Sequence, residues 1–161
     1  MTNQVTNVVV AGLGGQGVLK ASDILSEAAF RAGLDVKKAE VHGMSQRGGS
    51  VDSDVRFGAD LSAVSPMVPA GEAEYVVVLS PDQVEVFQGR RADGGVLIPP
   101  ETIDAEKLPN PRSLNVAMLG ALSTHLDIAE EHWLAAVRAN LPEKVHEVNE
   151  QAFALGRASA E

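Results

Sequence analysis

Apolar and polar positions along this chain change period several times. Residues 5–11, VTNVVVA, form a short apolar run rich in β-branched valine that stops at Gly12, which predicts a buried strand. Val18, Ala21, Leu25, Ala28 and Ala32 then recur at spacings of three and four, which predicts a helix closed by Gly33. Residues 35–41 return to strand character, so the opening reads as a βαβ unit. A polar, glycine-rich stretch follows at 42–50. Residues 51–57 alternate imperfectly, as a half-exposed strand does, and the pattern does not set the direction of that strand. Pro66 and Pro69 mark a connection. Tyr75 to Leu79 is a further buried run, within a strand expected over 74–79. Ser80-Pro81-Asp82-Gln83 has the order of a helix start, with Ser80 at the N-cap, Pro81 in the first position and Gln83 placed to reciprocate. Residues 95–98 make the last short strand before Pro99-Pro100.

The last third is predicted helical, with helices over 115–126, 130–141 and 143–158. Trp133, Val137 and Leu141 share one face of the second, and Pro142 separates it from the third. Met118 and Phe153 fall at core positions, and Asn115 and Asn149 suit caps or interface contacts, with caps the plainer expectation. No repeat, low-complexity tract or linker interrupts the chain. Strands alternating with helices predict a single α/β domain over 1–161. The expected architecture is a three-layer sandwich with a mostly parallel sheet, a Rossmann-like start and a helical C-terminal third.

Composition narrows the function classes. A chain of 161 residues that is 45% hydrophobic can bury one core. Its formal charge of -9 argues against nucleic acid and against an anionic membrane surface. It has no cysteine, so it holds no disulfide and cannot ligate an iron–sulfur cluster through thiolates. The N-terminal residues lack the charged and apolar regions of a secretory signal, and no apolar run is long enough for a membrane span, so a cytoplasmic protein is expected. His125, His132 and His146 have no metal-ligand spacing to one another, and no metal site is expected.

Two glycine-rich loops carry the candidate chemistry. The first, Gly12-Leu13-Gly14-Gly15-Gln16-Gly17, fits G-x-G-x-x-G between a strand and a helix, where backbone N–H groups and the helix dipole favour an anion. Glu40 stands about where a dinucleotide-binding fold wants its acid. Against NAD, the C-terminal third turns helical and leaves no second mononucleotide half. A turn that only packs helix against sheet explains the same residues. The second loop is His42-Gly43-Met44-Ser45-Gln46-Arg47-Gly48-Gly49. Arg47 suits a phosphate or carboxylate, and His42 a proton donor or orienting group. A solvated surface turn is the plainer alternative. Neighbouring strand ends in an α/β sheet form the usual ligand crevice, which favours a binding rim.

GLGGQGVLKASDIL, followed by HGMSQRGGSVDSDVRFG, resembles the γ domain of pyruvate/2-oxoacid:ferredoxin oxidoreductases. Asn115 to Gly120, Trp133 in the penultimate helix, and Asn149 to Gly156 extend the likeness over nearly the whole chain. The HGMSQRGG form is most similar to the β subunit of the indolepyruvate branch. The resemblance implies a non-cofactor subunit, inactive alone, of an enzyme that decarboxylates a 2-oxoacid, passes electrons to ferredoxin and gives the acyl group to coenzyme A. Thiamine diphosphate, magnesium and iron–sulfur clusters would sit on a larger partner chain. Both loops would then face that partner near the thiamine and coenzyme A site. Gly12, Gly14, Gly15, Gln16, Gly17, Met44, Gln46, Gly48 and Gly49 would line the cofactor region. Arg47 would contact a substrate carboxylate or a coenzyme A phosphate, with His42 and Ser45 as polar supports.

Three function classes thus stand open: the enzyme subunit, an independent nucleotide (NAD)-binding module, and a scaffold without turnover. A hydrophobic interface left bare in the isolated chain would allow a homodimer.

Overall fold

A computed structural model describes residues 4–42 and 49–160. It contains five strands, β1 (Val5–Leu13), β2 (Asp35–His42), β3 (Ser50–Gly58), β4 (Ala73–Val78) and β5 (Arg91–Ile98). Its α-helices are α1 (Val18–Arg31), α2 (Val84–Phe87), α3 (Leu114–Ser123), α4 (Glu130–Asn140) and α5 (His146–Ala160). Every segment predicted from the periodicity is present. β1 and β5 are longer than expected, and α5 starts only after a 3-10 turn at Glu143–Val145.

The strands form one sheet in the order β2-β3-β1-β4-β5. β1 is parallel to β4 and β4 to β5, whereas β3 is antiparallel to both β1 and β2. Four strands therefore run one way and β3 alone is opposed. The βαβ unit expected at the opening is present. β1 and β2 do run in the same direction, joined by α1, but β3 is inserted between them. Strands buried on both sides read as continuous apolar runs, and Val8, Val9, Val10 and Ala11 of the central β1 are all fully buried.

One face carries the main core. Val8, Val10, Val55, Phe57 and Val77 meet Ile24, Leu25 and Ala28 of α1 and residues of α3 to α5. The other layer is thin: Val9, Ala11, Val76 and Val78 are covered by Val68 from the β3–β4 connection and Phe87 of α2. Beside that apolar patch lies a polar row on β3. Arg90 bonds Asp52 at 3.1 Å and Asp54 at 2.9 Å, and Asp54 also accepts the Val68 N–H.

The helix ends follow local chemistry. Gly33 donates to Phe30 O and Leu34 to Ala29 O, a Schellman closure of α1 at the expected glycine. The capping box foreseen at Ser80 does not form. Ser80 makes no cap bond and its hydroxyl turns to Asp82, while the Gln83 amide is taken by Ser50 Oγ on β3 at 2.5 Å. A long-range partner thus wins over the local one.

α3 is buried from Asn115 through Ser123. It packs against α5 where two glycines meet. A Cβ at Gly120 would lie 2.1 Å from Phe153 O, and one at Gly156 would lie 1.8 Å from Ala117 O. The glycines that end the two C-terminal motifs, Gly120 and Gly156, therefore mark a helix crossing. Met118 and Phe153 are core residues, as expected, and Phe153 packs on Trp133 with ring centroids 5.7 Å apart. No helix among the described residues is long and apolar enough to cross a membrane.

Candidate functional site at the glycine turn

The first glycine loop closes the end of β1 and opens α1. Its N-cap is Gly17, left-handed at φ 79°, and no side chain caps the helix there. First-turn N–H groups have no partner within a helix, and among the described residues no side chain caps those of α1. Here the backbone requires glycine twice over: the dihedral is unfavourable for other residues, and a Cβ would lie 2.5 Å from Asn115 Nδ2. Asn115 stands in the first turn of α3, whose N-cap is Ser113, and its Oδ1 accepts the first-turn Val116 N–H at 2.9 Å. Its amide donates across to Gly17 O at 3.2 Å, tying the start of α3 to the start of α1. Asn149 does not cap a helix. It lies inside α5 and donates to Val145 O.

Gln16 is held by the protein itself. Its Oε1 accepts the Leu13 N–H at 2.7 Å and its Nε2 donates to Leu79 O at 3.3 Å, so one side chain bridges the ends of β1 and β4. Gly12 lies under this bridge, with Gln16 Oε1 2.7 Å from where its Cβ would be.

The two glycine-rich segments meet. Beyond the last β1–β3 pair, Leu13 opposite Ser50, the Gly14 N–H donates to Gly49 O at 2.9 Å. β2 ends at His42 opposite Val51, so both ends of the second loop reach this same corner of the sheet. The His42 side chain, Met44, Ser45, Gln46, Arg47 and Gly48 lie outside the described residues.

Grooves flank the turn. One of about 350 Å³ runs past Gly14, Gly15, Val18, Lys20 and Val51. Another of about 550 Å³ separates Gly15 to Gly17 from Arg112 and Asn115. A further cavity of about 410 Å³, lined by Phe57, Tyr75, His125 and Asp127, lies at the opposite end of β1. Ligands of open α/β sheets bind beyond the carboxyl ends of the parallel strands. That places the candidate site at the glycine turn.

The dinucleotide reading loses its support. Glu40 lies on the edge strand, two strands from β1, and its carboxylate is 3.0 Å from Lys38 Nζ. It therefore has no place beside the first glycine turn, where a ribose would need it.

Residues 7–159 match the family model described as pyruvate ferredoxin/flavodoxin oxidoreductase. The chain belongs to this family. A curated relative from Thermococcus kodakarensis, the indolepyruvate oxidoreductase subunit IorB, is 34% identical, the match covering 96% of this chain and 95% of the relative. The match thus spans nearly the whole of this chain and of that subunit. Among solved structures, the γ subunit of a keto/oxoacid ferredoxin oxidoreductase from Geobacter sulfurreducens superposes with a TM-score of 0.81 at 24% identity, over 98% of this chain and 97% of that one. A 2-oxoglutarate:ferredoxin oxidoreductase from Magnetococcus marinus, with 2-oxoglutarate, coenzyme A and succinyl-CoA bound, superposes at 0.79 and 21% identity. That match covers 99% of this chain and 31% of the larger one. At these identities the two structures establish the shared fold.

There is no cysteine for an iron–sulfur cluster, and the described residues hold no cluster of His, Asp or Glu able to grip a metal ion.

Proposed function

We propose that this chain is the small subunit of an indolepyruvate-type 2-oxoacid:ferredoxin oxidoreductase. Its glycine turn and the adjoining Gly49 edge form one wall of a pocket completed by a larger chain. That larger chain carries thiamine diphosphate, magnesium and the clusters, and delivers electrons to ferredoxin. The observation that carries this reading is the Gly14–Gly49 hydrogen bond, which joins both glycine-rich segments beside the uncapped start of α1. An anion such as a coenzyme A phosphate is favoured at such a helix start. The name of the archaeal relative supports the aryl-pyruvate assignment. The bound ligands named for the M. marinus enzyme, in which this fold is about a third of the chain, support coenzyme A as co-substrate.

The test is reconstitution with the larger chain. Indolepyruvate and coenzyme A are expected to drive ferredoxin reduction only when both chains are present. Failure to associate, or equal activity without the small chain, overturns the assignment, and a clear preference for pyruvate moves the substrate class. In the same complex Arg47→Ala is expected to raise the KM for the oxoacid or coenzyme A by about tenfold or more, the worth of one charge-assisted hydrogen bond. Unchanged kinetics would remove Arg47 from the site.

A further inference from the structure

The polar row on β3 is hard to explain by stability. Ser50, Asp52 and Asp54 alternate along one face of the strand, the face that elsewhere packs Val9, Ala11, Val76 and Val78. Asp54 is fully buried and Asp52 nearly so. Carboxylates in such a place are costly to desolvate, and a buried ion pair is often no more stabilising than apolar residues of the same size. What the row does achieve is geometric. All three side chains are bonded to a single segment that follows β4. Ser50 Oγ donates to Gln83 Oε1 at 2.5 Å, and the Arg90 guanidinium spans Asp52 at 3.1 Å and Asp54 at 2.9 Å. Gln83 is itself 8% exposed.

The bonded end of β3 leads directly to the glycine turn. Ser50 pairs with Leu13, and one residue earlier Gly49 receives the Gly14 N–H. An antiparallel pair frays first at its ends, where few contacts oppose local opening. The ties from Gln83 and Arg90 act on that end.

We infer that Gln83 and Arg90 are positioning residues: by holding Ser50, Asp52 and Asp54, they keep the start of β3 closed on the glycine turn and maintain the Gly14–Gly49 link. They touch no ligand and act through the backbone of β3. The consequence for catalysis rests on the function proposed above, whereas the structural effect does not.

Two measurements separate these levels. In the isolated full chain, amide hydrogen exchange is followed at Gly14 and, for comparison, at Val8 and Val10 in the middle of β1. Gln83→Ala and Ser50→Ala each remove one side of the same bond, and each is expected to speed exchange at Gly14 by about fivefold, the worth of one net hydrogen bond. Val8 and Val10 should stay within about twofold, as should all three amides in Gln88→Ala, an exposed control on the same segment. Arg90→Lys, which loses the fork joining the two carboxylates, should act in the same direction. The inference is overturned if Gly14 exchanges as in the wild type in both Gln83→Ala and Ser50→Ala. It is equally overturned if Gly14 accelerates only in step with Val8 and Val10, which would mean a general loss of stability. In the reconstituted complex, Gln83→Ala should raise KM about fivefold while kcat stays within about twofold, the pattern of weakened binding without altered chemistry. A wild-type complex that does not turn over defeats the proposed function, and the exchange result still decides the role of Gln83.

Discussion

At the residue scale, the glycine turn is defined by what surrounds it as much as by its own sequence. Gly17→Ala would force a left-handed dihedral on a residue with a Cβ and drive that atom toward Asn115 Nδ2. A loss of about 2 kcal/mol is expected, read as a lower urea midpoint with an unchanged slope. Adding Asn115→Ala should recover the steric part only, so the double variant remains less stable than Asn115→Ala alone. The glycines of this turn were legible in the sequence because G-x-G-x-x-G between a strand and a helix has a mechanical meaning. The roles of Gln16, Asn115 and Gln83 were not. Each of their amides bonds a backbone or side chain from another element: Leu79 for Gln16, Gly17 for Asn115, Ser50 for Gln83. Local capping rules see only nearby residues, which is why they place Gln83 in a capping box and miss the bond from Asn115 to Gly17.

At the scale of elements, the α3–α5 crossing sets two opposing effects against each other. Gly156→Ala gains about 1 kcal/mol of helix propensity. It also places a Cβ 1.8 Å from the Ala117 carbonyl oxygen, and backbone cannot rotate away as a side chain can. Overpacking of this kind commonly costs about 1–3 kcal/mol, more where the obstacle is main chain, so a net loss is expected. The thermal midpoint should fall by several degrees, and a rise would show that the helices separate freely. The edge strand β2 carries a different device. Partial burial disfavours the Lys38 ammonium, but hydrogen bonds and charge from Asp23 and Glu40 outweigh that and raise its pKa above the ordinary 10.5. A raised lysine pKa stabilises the fold fully below the unfolded value and loses that contribution as pH climbs through the folded one. Wild type should therefore be more stable than Lys38→Gln at neutral pH, with the gap closing above about pH 10.5. A gap independent of pH would assign the effect to packing of the lysine stem. Strand positions were readable from the apolar runs, but the direction of β3 was not, because alternation looks the same read either way.

At the scale of the whole molecule, one core links the sheet to the helical third. Trp133, the sole tryptophan, is fully buried against Phe153 in that core. Its fluorescence should therefore change together with far-UV circular dichroism in a single denaturant transition. Two separated transitions would show that α3 to α5 form an independent unit. The α/β class and the helical C-terminal third follow from period and spacing. The strand order does not, since neighbours in a sheet are settled by pairing between residues far apart in sequence.

The reversed strand also has a bearing on how the chain is made. A ribosome releases β1, α1 and β2 first, yet the strand that must lie between β1 and β2 emerges last of the four. An N-terminal fragment ending before Ser50 therefore has two strands with no ladder to share. It should stay unfolded until the next few residues leave the exit tunnel, and the sheet then assembles around the newcomer.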